Sequence, residues 1–496
     1  SEVRRDIQFQ PFRLRGWEWA GFAQDQIRVR PWLVIDAGVR YSLYPPVTEA
    51  GDRLVNFNLL RLTPALDQFA GQGGVNPYAG RSYNKHAIAP RIGFAVNLSP
   101  SGATVLRGGY STDYDPGAYL SEGSLARNPP FASRQDFFNG SLLVGPSLAE
   151  GLPAPQSVPL TTPAALNAAG GAIYAADTQP YTSDAEQWGL FLQQRLGPAL
   201  MLEIGGTGAM GAHWYSSYNI NQPPPDSTVF AARRWAWSSP SVSRIEYLSL
   251  AGGSTYYGGQ AKMTRRSASG IQFQASYTFA KAEDDSSAPS SDQSSRPDGP
   301  QNVYYLGGMR SASSYDVRHR LVLAAVYDVP CKVGSRIVRT ALENWQTSAV
   351  VVAQSGFPFT PELAVNGLNN GGFWLPNRIG DGSLPSAQRS YLHWFNTSLD
   401  PNDPDRAFET PPLYQYGNEG FNVVRGPWMA TADVALARTF PVGERLRMKA
   451  RVEAFNLLNR TNLALPNRIL GVDSSGVISH TATPARQLQL SIRAEW

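Results

Sequence analysis

The sequence holds a single cysteine, Cys331, and only five histidines, and no window offers the roughly 18 uninterrupted apolar residues of a membrane-crossing helix. One cysteine excludes an intrachain disulfide framework, and its place after Asp328-Val329-Pro330 reads as an incidental thiol in a turn. The missing apolar run excludes a transmembrane helix but not a membrane. A β-barrel crosses lipid on strands of about 9–11 residues that alternate between lipid and lumen, which keeps mean hydropathy modest. Charge is scarce too: Asp, Glu, Lys and Arg make up 17% of the chain, against roughly 25% in ordinary soluble domains. With 43 basic and 39 acidic side chains, a net charge of +4 and no extended block of like charge, nothing marks a nucleic-acid surface. Also lacking are GxSxG, GxxxxGK[ST] and strand–helix GxGxxG motifs, HxxxH or HExxH spacings, and carboxylate pairs placed for acid–base work. No enzyme class and no cofactor is indicated. No charged n-region with an apolar h-region follows Ser1, the expectation for a leader removed or lying upstream.

What is abundant is aromatic and turn-forming. The chain carries 22 Tyr, 21 Phe, 12 Trp, 46 Gly and 38 Pro. Period-two alternation is the main signal, and it is clearest at the end. From Gln487 to Trp496 every second residue is apolar (Leu488, Leu490, Ile492, Ala494, Trp496) and those between are polar or charged. The same pattern sets Leu446, Met448, Ala450, Val452 and Ala454 against Arg445, Arg447, Lys449, Arg451 and Glu453. It sets Ile271, Phe273, Ala275, Tyr277 and Phe279 against Gln272, Gln274, Ser276 and Thr278, and Leu33 through Tyr41 against Asp36, Gly38 and Arg40. Such strands need an apolar medium on one side and water on the other. Charges in series suit a water-filled lumen.

Connections sort into two lengths. Short turns fall at Arg30-Pro31, Ser99 to Gly102, Gly197-Pro198, Ser267 to Gly270, Pro330 to Arg336 and Pro441 to Gly443. Long Gly/Pro/Ser/Asn-rich stretches cover 46–87, 115–183, 212–255, 282–314, 355–428 and 459–485. Short and long alternate, the hairpin rhythm of an all-β transmembrane antiparallel barrel with tight periplasmic turns and extended extracellular loops. This scheme gives about thirteen strands, an odd number, whereas a self-contained barrel has an even one. The expectation is that residue 1 lies in an extracellular loop and that further strands precede it. Aromatics near strand ends (Trp17, Trp19, Tyr41, Tyr44, Tyr110, Tyr114, Tyr277, Phe279, Tyr327, Phe440, Phe455) fit interfacial girdles. Glycine pairs such as Gly108-Gly109, Gly205-Gly206 and Gly258-Gly259 fit bends or close packing in strands.

Several segments together resemble the large TonB-dependent outer-membrane receptors of the Oar-like group. Pro90-Arg91-Ile92-Gly93-Phe94-Ala95 followed by Val105 to Tyr110 is similar to that group's "PRxGFAY…RGGYG" hairpin. Tyr315 to Leu323 with Tyr327-Asp328-Val329-Pro330 resembles "DxRHRFVLSxVYELP", and Arg451 to Asn459 resembles "RxEAFNLFN". Glu18 through Asp25, then Asp36 to Tyr41, also fit. The resemblance runs from about residue 17 to the end in the family's order, and the last strand, through Leu488, Leu490, Ile492 and Trp496, resembles its closing β-signal. It implies a plugged barrel of about 22 strands of which residues 1–496 are the carboxy-terminal part. The plug and the regulatory-like N-terminal domain are not among these residues. Implied partners are outer-membrane lipid and lipopolysaccharide, the barrel-assembly machinery, the TonB complex through that plug, and a surface protein. The envelope would be that of a Gram-negative bacterium, and the role uptake or recognition of a bulky solute. A non-transporting scaffold barrel and a passive porin stay open as alternatives.

Site residues are sparse. Trp214, Trp235, Trp237, Trp374 and Trp394, with Tyr215, Tyr218, Phe373, His393 and Phe395, concentrate in the expected extracellular loops. They either stack on sugars, hold a peptide or partner surface, or pack the loops against one another. Asp400 to Asp405 has the look of a calcium loop but lacks its glycine and closing glutamate. Glu283-Asp284-Asp285 reads as a solvated loop start or a weak cation site, and His319 as a strand-end residue.

Overall fold

A computed structural model of the chain describes residues 2–59, 65–115, 123–138, 151–152, 171–228, 232–235, 242–268, 270–285, 299–330, 343–368, 372–443 and 446–496. Among these no helix is long and apolar enough to cross a membrane. Instead the chain lays down thirteen long strands: β1 (Trp19–Arg30), β2 (Leu33–Leu43), β3 (Ala87–Asn97), β4 (Thr104–Tyr114), β5 (Asp184–Arg195), β6 (Leu200–Asn219), β7 (Val242–Ala268), β8 (Ile271–Asp284), β9 (His319–Asp328), β10 (Trp345–Gln354), β11 (Met429–Val442), β12 (Leu446–Phe455) and β13 (Gln487–Glu495). Each pairs antiparallel with the next, from β1 through β13. The strand count and the alternation of short turns with long connections are those expected from the sequence.

Register decides which residues share a face, because direct partners in an antiparallel pair project to the same side. One row runs Ile27, Ile35, Phe94, Gly108, Leu190, Gly206, Gly259 and Phe279 across β1 to β8. On that same face a second row runs Phe273, Ala325, Ala349, Val434, Ala454 and Leu488 across β8 to β13. All four alternating segments of the sequence therefore turn their apolar sets to one continuous surface. Leu190, Ile204, Tyr257 and Leu490 stand exposed on it, as a lipid-facing surface requires. The opposite face carries Gln24, Asp36, Arg91, Arg107, Gln187, Lys262, Asp433, Arg451 and Arg493, the wall of a wet lumen.

The apolar band has edges. Leu33 to Tyr41 along β2 covers roughly 26 Å at ~3.3 Å per residue, close to the ~25 Å band of outer-membrane barrels. At the loop side Trp19 meets Tyr41 edge-on at 5.7 Å, Trp188 meets Tyr257 at 6.1 Å, and the Tyr277 hydroxyl bonds His319 Nδ1 at 2.7 Å. At the turn side Arg438 lies over Trp345 and Phe440 at 5.5 and 4.6 Å. These are rings and cations suited to a membrane–water boundary.

One expectation fails. The stretch 212–255 is not a free connection: β6 runs 20 residues to Asn219 and β7 runs 27 residues from Val242. Register shifts flank Trp214, and His213 takes φ 56°. A bulge of this kind breaks strict period two without ending pairing, so the alternation fades while the hairpin continues beyond the rim.

No long-range register joins β13 to β1 among the described residues, and both strands are exposed along nearly their whole length. Residues 2–15 lie in the loop-side layer. Glu2–Gln8 pairs with Ala132–Phe138 from the β4–β5 connection, and Leu14–Arg15 pairs with Thr48–Glu49.

The buried apolar clusters sit in this layer rather than in the wall. One joins Val55, Phe57, Leu66, Ile173, Trp235 and Ile245. Another joins Phe359, Leu363, Trp374, Phe395, Phe408 and Leu470. The wall is a single sheet with lipid on one side, so only the long connections can enclose a core.

Charge on the apolar face should be costly in a depth-dependent way. Leu190→Arg is expected to lose about 2–4 kcal/mol of folding stability, and Gln187→Arg on the lumen side under about 1 kcal/mol. Reversible unfolding in lipid vesicles measures both, and equal losses would contradict the assigned faces.

Candidate functional site

Two places can meet a solute: the lumen wall and the loop layer. On the wall, Gly93, Gly109 and Gly189 are direct partners across β3, β4 and β5. Without side chains there the wall is recessed, forming a concavity of about 440 Å³ edged by Gln24, Asp36, Arg91, Arg107, Ser111 and Gln187. Arg91 is ion-paired with Asp113. Elsewhere the lumen face is laced with pairs at short range: Lys262 to Glu203 at 2.9 Å, Arg451 to Glu453 at 2.7 Å and Arg493 to Glu495 at 3.0 Å. This face of the wall is polar and carries charges of both signs, several of them paired.

The loop layer is fixed to the wall by residues of the family-like motifs. Asp316 is buried; its Oδ1 accepts the Ala282 amide at 2.7 Å and its Oδ2 is ion-paired with Arg425 and, at 3.5 Å, with Arg318. That clamp ties β8, the start of β9 and the β10–β11 connection together. Asn456 and Asn459 both have positive φ, 49° and 48°, which asparagine tolerates better than most residues. Asn456 accepts the Arg460 amide at 3.0 Å and donates to Arg460 and Pro484 carbonyls at 2.9 and 3.2 Å. It turns the chain out of β12 toward a connection that Arg468 and Glu362 ion-pair to its neighbour.

Of the tryptophans singled out in the sequence, Trp214 is on β6, not in a loop, and its indole donates to Ser254 Oγ at 3.2 Å. Trp235 is 8% exposed, edge-on to Phe57, with Arg234 stacked at 4.6 Å. Trp374 is 2% exposed and donates to the Gln415 carbonyl at 2.8 Å. Trp394 packs against the same cluster and donates to the Arg425 carbonyl at 2.9 Å. Trp237 and Cys331 lie outside the described residues. The described loop rings therefore hold connections together. Exposed rings and aliphatics of the layer are others: Tyr305, Tyr315, Val365, Tyr391 and Leu413. No periodic signal marks them, since their exposure depends on how the irregular segments fold. Leu488, Leu490 and Ile492 are 73, 78 and 74% exposed along β13, on the lipid face, and Trp496, just past its end, is 94% exposed.

No three His, Cys, Asp or Glu side chains converge on a metal position among the described residues. His213 Nδ1 meets Asp184 at 2.8 Å and its ring stacks on Tyr181 at 4.4 Å. The Glu283 to Asp285 run is engaged: Glu283 pairs with Lys281 and Asp285 accepts the Gly253 amide, both at 2.5 Å. Burial raises the Asp285 carboxyl against that bond and the nearby Arg310. In the Asp400 to Asp405 turn the carboxylates cap backbone amides, Asp400 that of Asn402 and Asp403 that of Asp405, both at 2.9 Å.

Compared with known proteins, the chain matches a family model described as an outer membrane beta barrel domain over residues 1–489. No curated protein matches it. Among solved structures, the outer membrane transporter YddB from Escherichia coli aligns at 11% identity and a TM-score of 0.47, covering 96% of this chain and 45% of that one. The ferripyoverdine receptor of the outer membrane of Pseudomonas aeruginosa aligns at 11% identity and a TM-score of 0.44, covering 96% and 38%. The chain thus spans less than half the length of these structures.

Glu49 supplies a pH-dependent test of the loop layer. Burial raises its carboxyl, but bonds from the Arg53 side chain and from the Arg13, Gly51 and Arg53 amides outweigh this and hold it at about 2, below the ordinary 4.5. A depressed folded value means the knot is fully stable above pH 4.5 and weakens as pH falls toward about 2, by about 3 kcal/mol in all. Hydrogen exchange at the Arg13 and Gly51 amides should rise over that window, and Glu49→Gln should remove the pH dependence.

Proposed function

The chain belongs to the outer membrane beta barrel family, and from that premise we propose that it is the carboxy-terminal barrel portion of a TonB-dependent receptor of the Oar-like group, recognising or moving a bulky solute. It is an outer-membrane protein that crosses lipid on strands. The reading is carried by one observation. An unbroken antiparallel wall turns a largely apolar face outward and a polar, charged face inward, and motifs resembling that group fall at its structural joints, Asp316 and Asn456. Large connections gathered on one side of the wall support solute recognition there. The buried Trp235 and Trp374 and the half-buried Trp394 serve it by fixing loop shape, with Trp214 stiffening the β6–β7 hairpin and Trp237 placed nearby in sequence. Leu488, Leu490, Ile492 and Trp496 form the β-signal read by the barrel-assembly machinery. No catalytic step is part of this role, and no resident cofactor is needed. Energy would arrive from the TonB complex through a plug, in a Gram-negative envelope bearing lipopolysaccharide.

The test uses the full-length polypeptide. It should bind the periplasmic domain of TonB and show no large steady conductance in planar bilayers. A steady open pore without TonB binding would establish a passive porin instead. A closed barrel that ignores TonB but binds a surface protein would establish a scaffold.

A further inference from the structure

The carboxyl of Glu419 is an anomaly of the loop layer. The residue is 5% exposed, and among the described residues neither Oε1 nor Oε2 has a hydrogen-bond partner. Buried polar groups are nearly always partnered, and an isolated buried carboxylate is costly enough that it takes up a proton instead.

Glu419 sits where two connections meet. Within the β10–β11 connection, its own amide donates to the Pro376 carbonyl at 3.2 Å, the Asn418 amide to Asn377 Oδ1 at 3.1 Å and the Arg378 amide to Asn418 Oδ1 at 2.7 Å. Gln301, from the β8–β9 connection, donates to the Gly417 carbonyl at 3.1 Å and accepts the Leu375 amide at 2.6 Å. Met309, Leu375 and Phe421 make a small apolar cluster across the same seam, with Phe373 against it. All of these bonds and contacts are made by neutral groups.

Charged and titratable groups around the seam do not satisfy the carboxyl. Arg378 faces it, but its guanidinium is bound to the Gly380 carbonyl at 2.8 Å and to Asp381 at 3.1 and 3.3 Å. Arg310, beside Met309, reaches Thr255 at 2.8 Å and Asp285 at 3.9 Å instead. Tyr416 donates to the Pro223 carbonyl at 3.3 Å, and burial with nearby Tyr304 pushes its hydroxyl up to about 12, so it stays neutral. Burial holds the Glu419 carboxyl well above the ordinary carboxylate range, opposed only in part by Arg378.

We propose that Glu419 is a proton-operated latch on the seam between the β8–β9 and β10–β11 connections: protonated it lets the seam close, and ionised it drives the seam open. A raised folded value fixes the direction. Closure is unpenalised below the ordinary carboxyl range and loosens as pH rises above it toward the raised value. The seam is tight in acid and slack toward alkaline pH.

Hydrogen exchange on the full-length protein, corrected for intrinsic rates, tests this between about pH 5 and about pH 8. Protection at the Leu375 and Glu419 amides should fall about tenfold or more across that range, one pH unit of linkage being a factor of ten. E419Q, a neutral mimic, should keep acid-like protection throughout, and the Leu363 amide in the neighbouring cluster should not respond. Flat protection in the unaltered protein, or an E419Q profile that follows it, overturns the proposal. So does alkaline protection restored by millimolar calcium, which would make the carboxyl a cation ligand. Should E419Q fail to insert, infrared spectroscopy on the unaltered protein, isotope-edited at glutamate, decides. Absence of any protonated-glutamate carbonyl band at neutral pH, with undiminished protection, would overturn the latch.

Discussion

Everything in the wall follows from one constraint: inside a bilayer a backbone amide finds a partner only in the protein. An extended chain can meet it only by pairing along its whole length with neighbours on both sides. Pairing on that scale locks register, and register locks faces, because a slip of one residue would turn Leu190 or Leu490 into the lumen and Gln187 or Gln489 into lipid. The alternation in β8, β12 and β13 is thus a requirement of the solvent outside. Irregular backbone is displaced to where water or other protein can satisfy it. That is why the connections rich in glycine, proline and asparagine collect beyond the band bounded by Trp19 and Tyr41.

The wall was legible for the same reason. Period two is a local property, so the four alternating segments, the short turns and the number of strands could all be read from neighbouring residues. It failed at 212–255, where bulges around Trp214 and a left-handed His213 interrupt the period while the strands stay paired. The loop layer was scarcely legible. Its contacts join segments more than a hundred residues apart, as Asn56 with Ala176 or Asp316 with Arg425, and no spacing rule predicts such meetings. Tryptophans in irregular sequence looked equally suited to binding and to packing, and only the three-dimensional arrangement shows Trp235 and Trp374 as interior. The motif asparagines carried information of another kind: Asn456 and Asn459 stand where the backbone takes a conformation that few side chains allow.

Charge is handled differently in the two layers. On the lumen wall, several acids and bases pair over short distances on a half-exposed surface, where each pair adds little stability. In the loop layer a few carboxylates are withdrawn from water and asked to do specific jobs. Glu49 and Asp316 are met by several donors each and act as rivets. Glu419 is met by none among the described residues, and differs from the other two in the property that makes a group responsive to its surroundings.

The placement of the apolar cores has a consequence for how the molecule comes apart. The wall is held by backbone pairing against lipid, the loop layer by dispersion and by water released from around Phe57, Trp374 and Phe408. Only the second exposes much apolar surface to water on opening, so it should carry most of the heat-capacity change. Heat and denaturant would then disassemble the protein in two stages, the loop layer coming apart while the strands beneath it remain in the membrane.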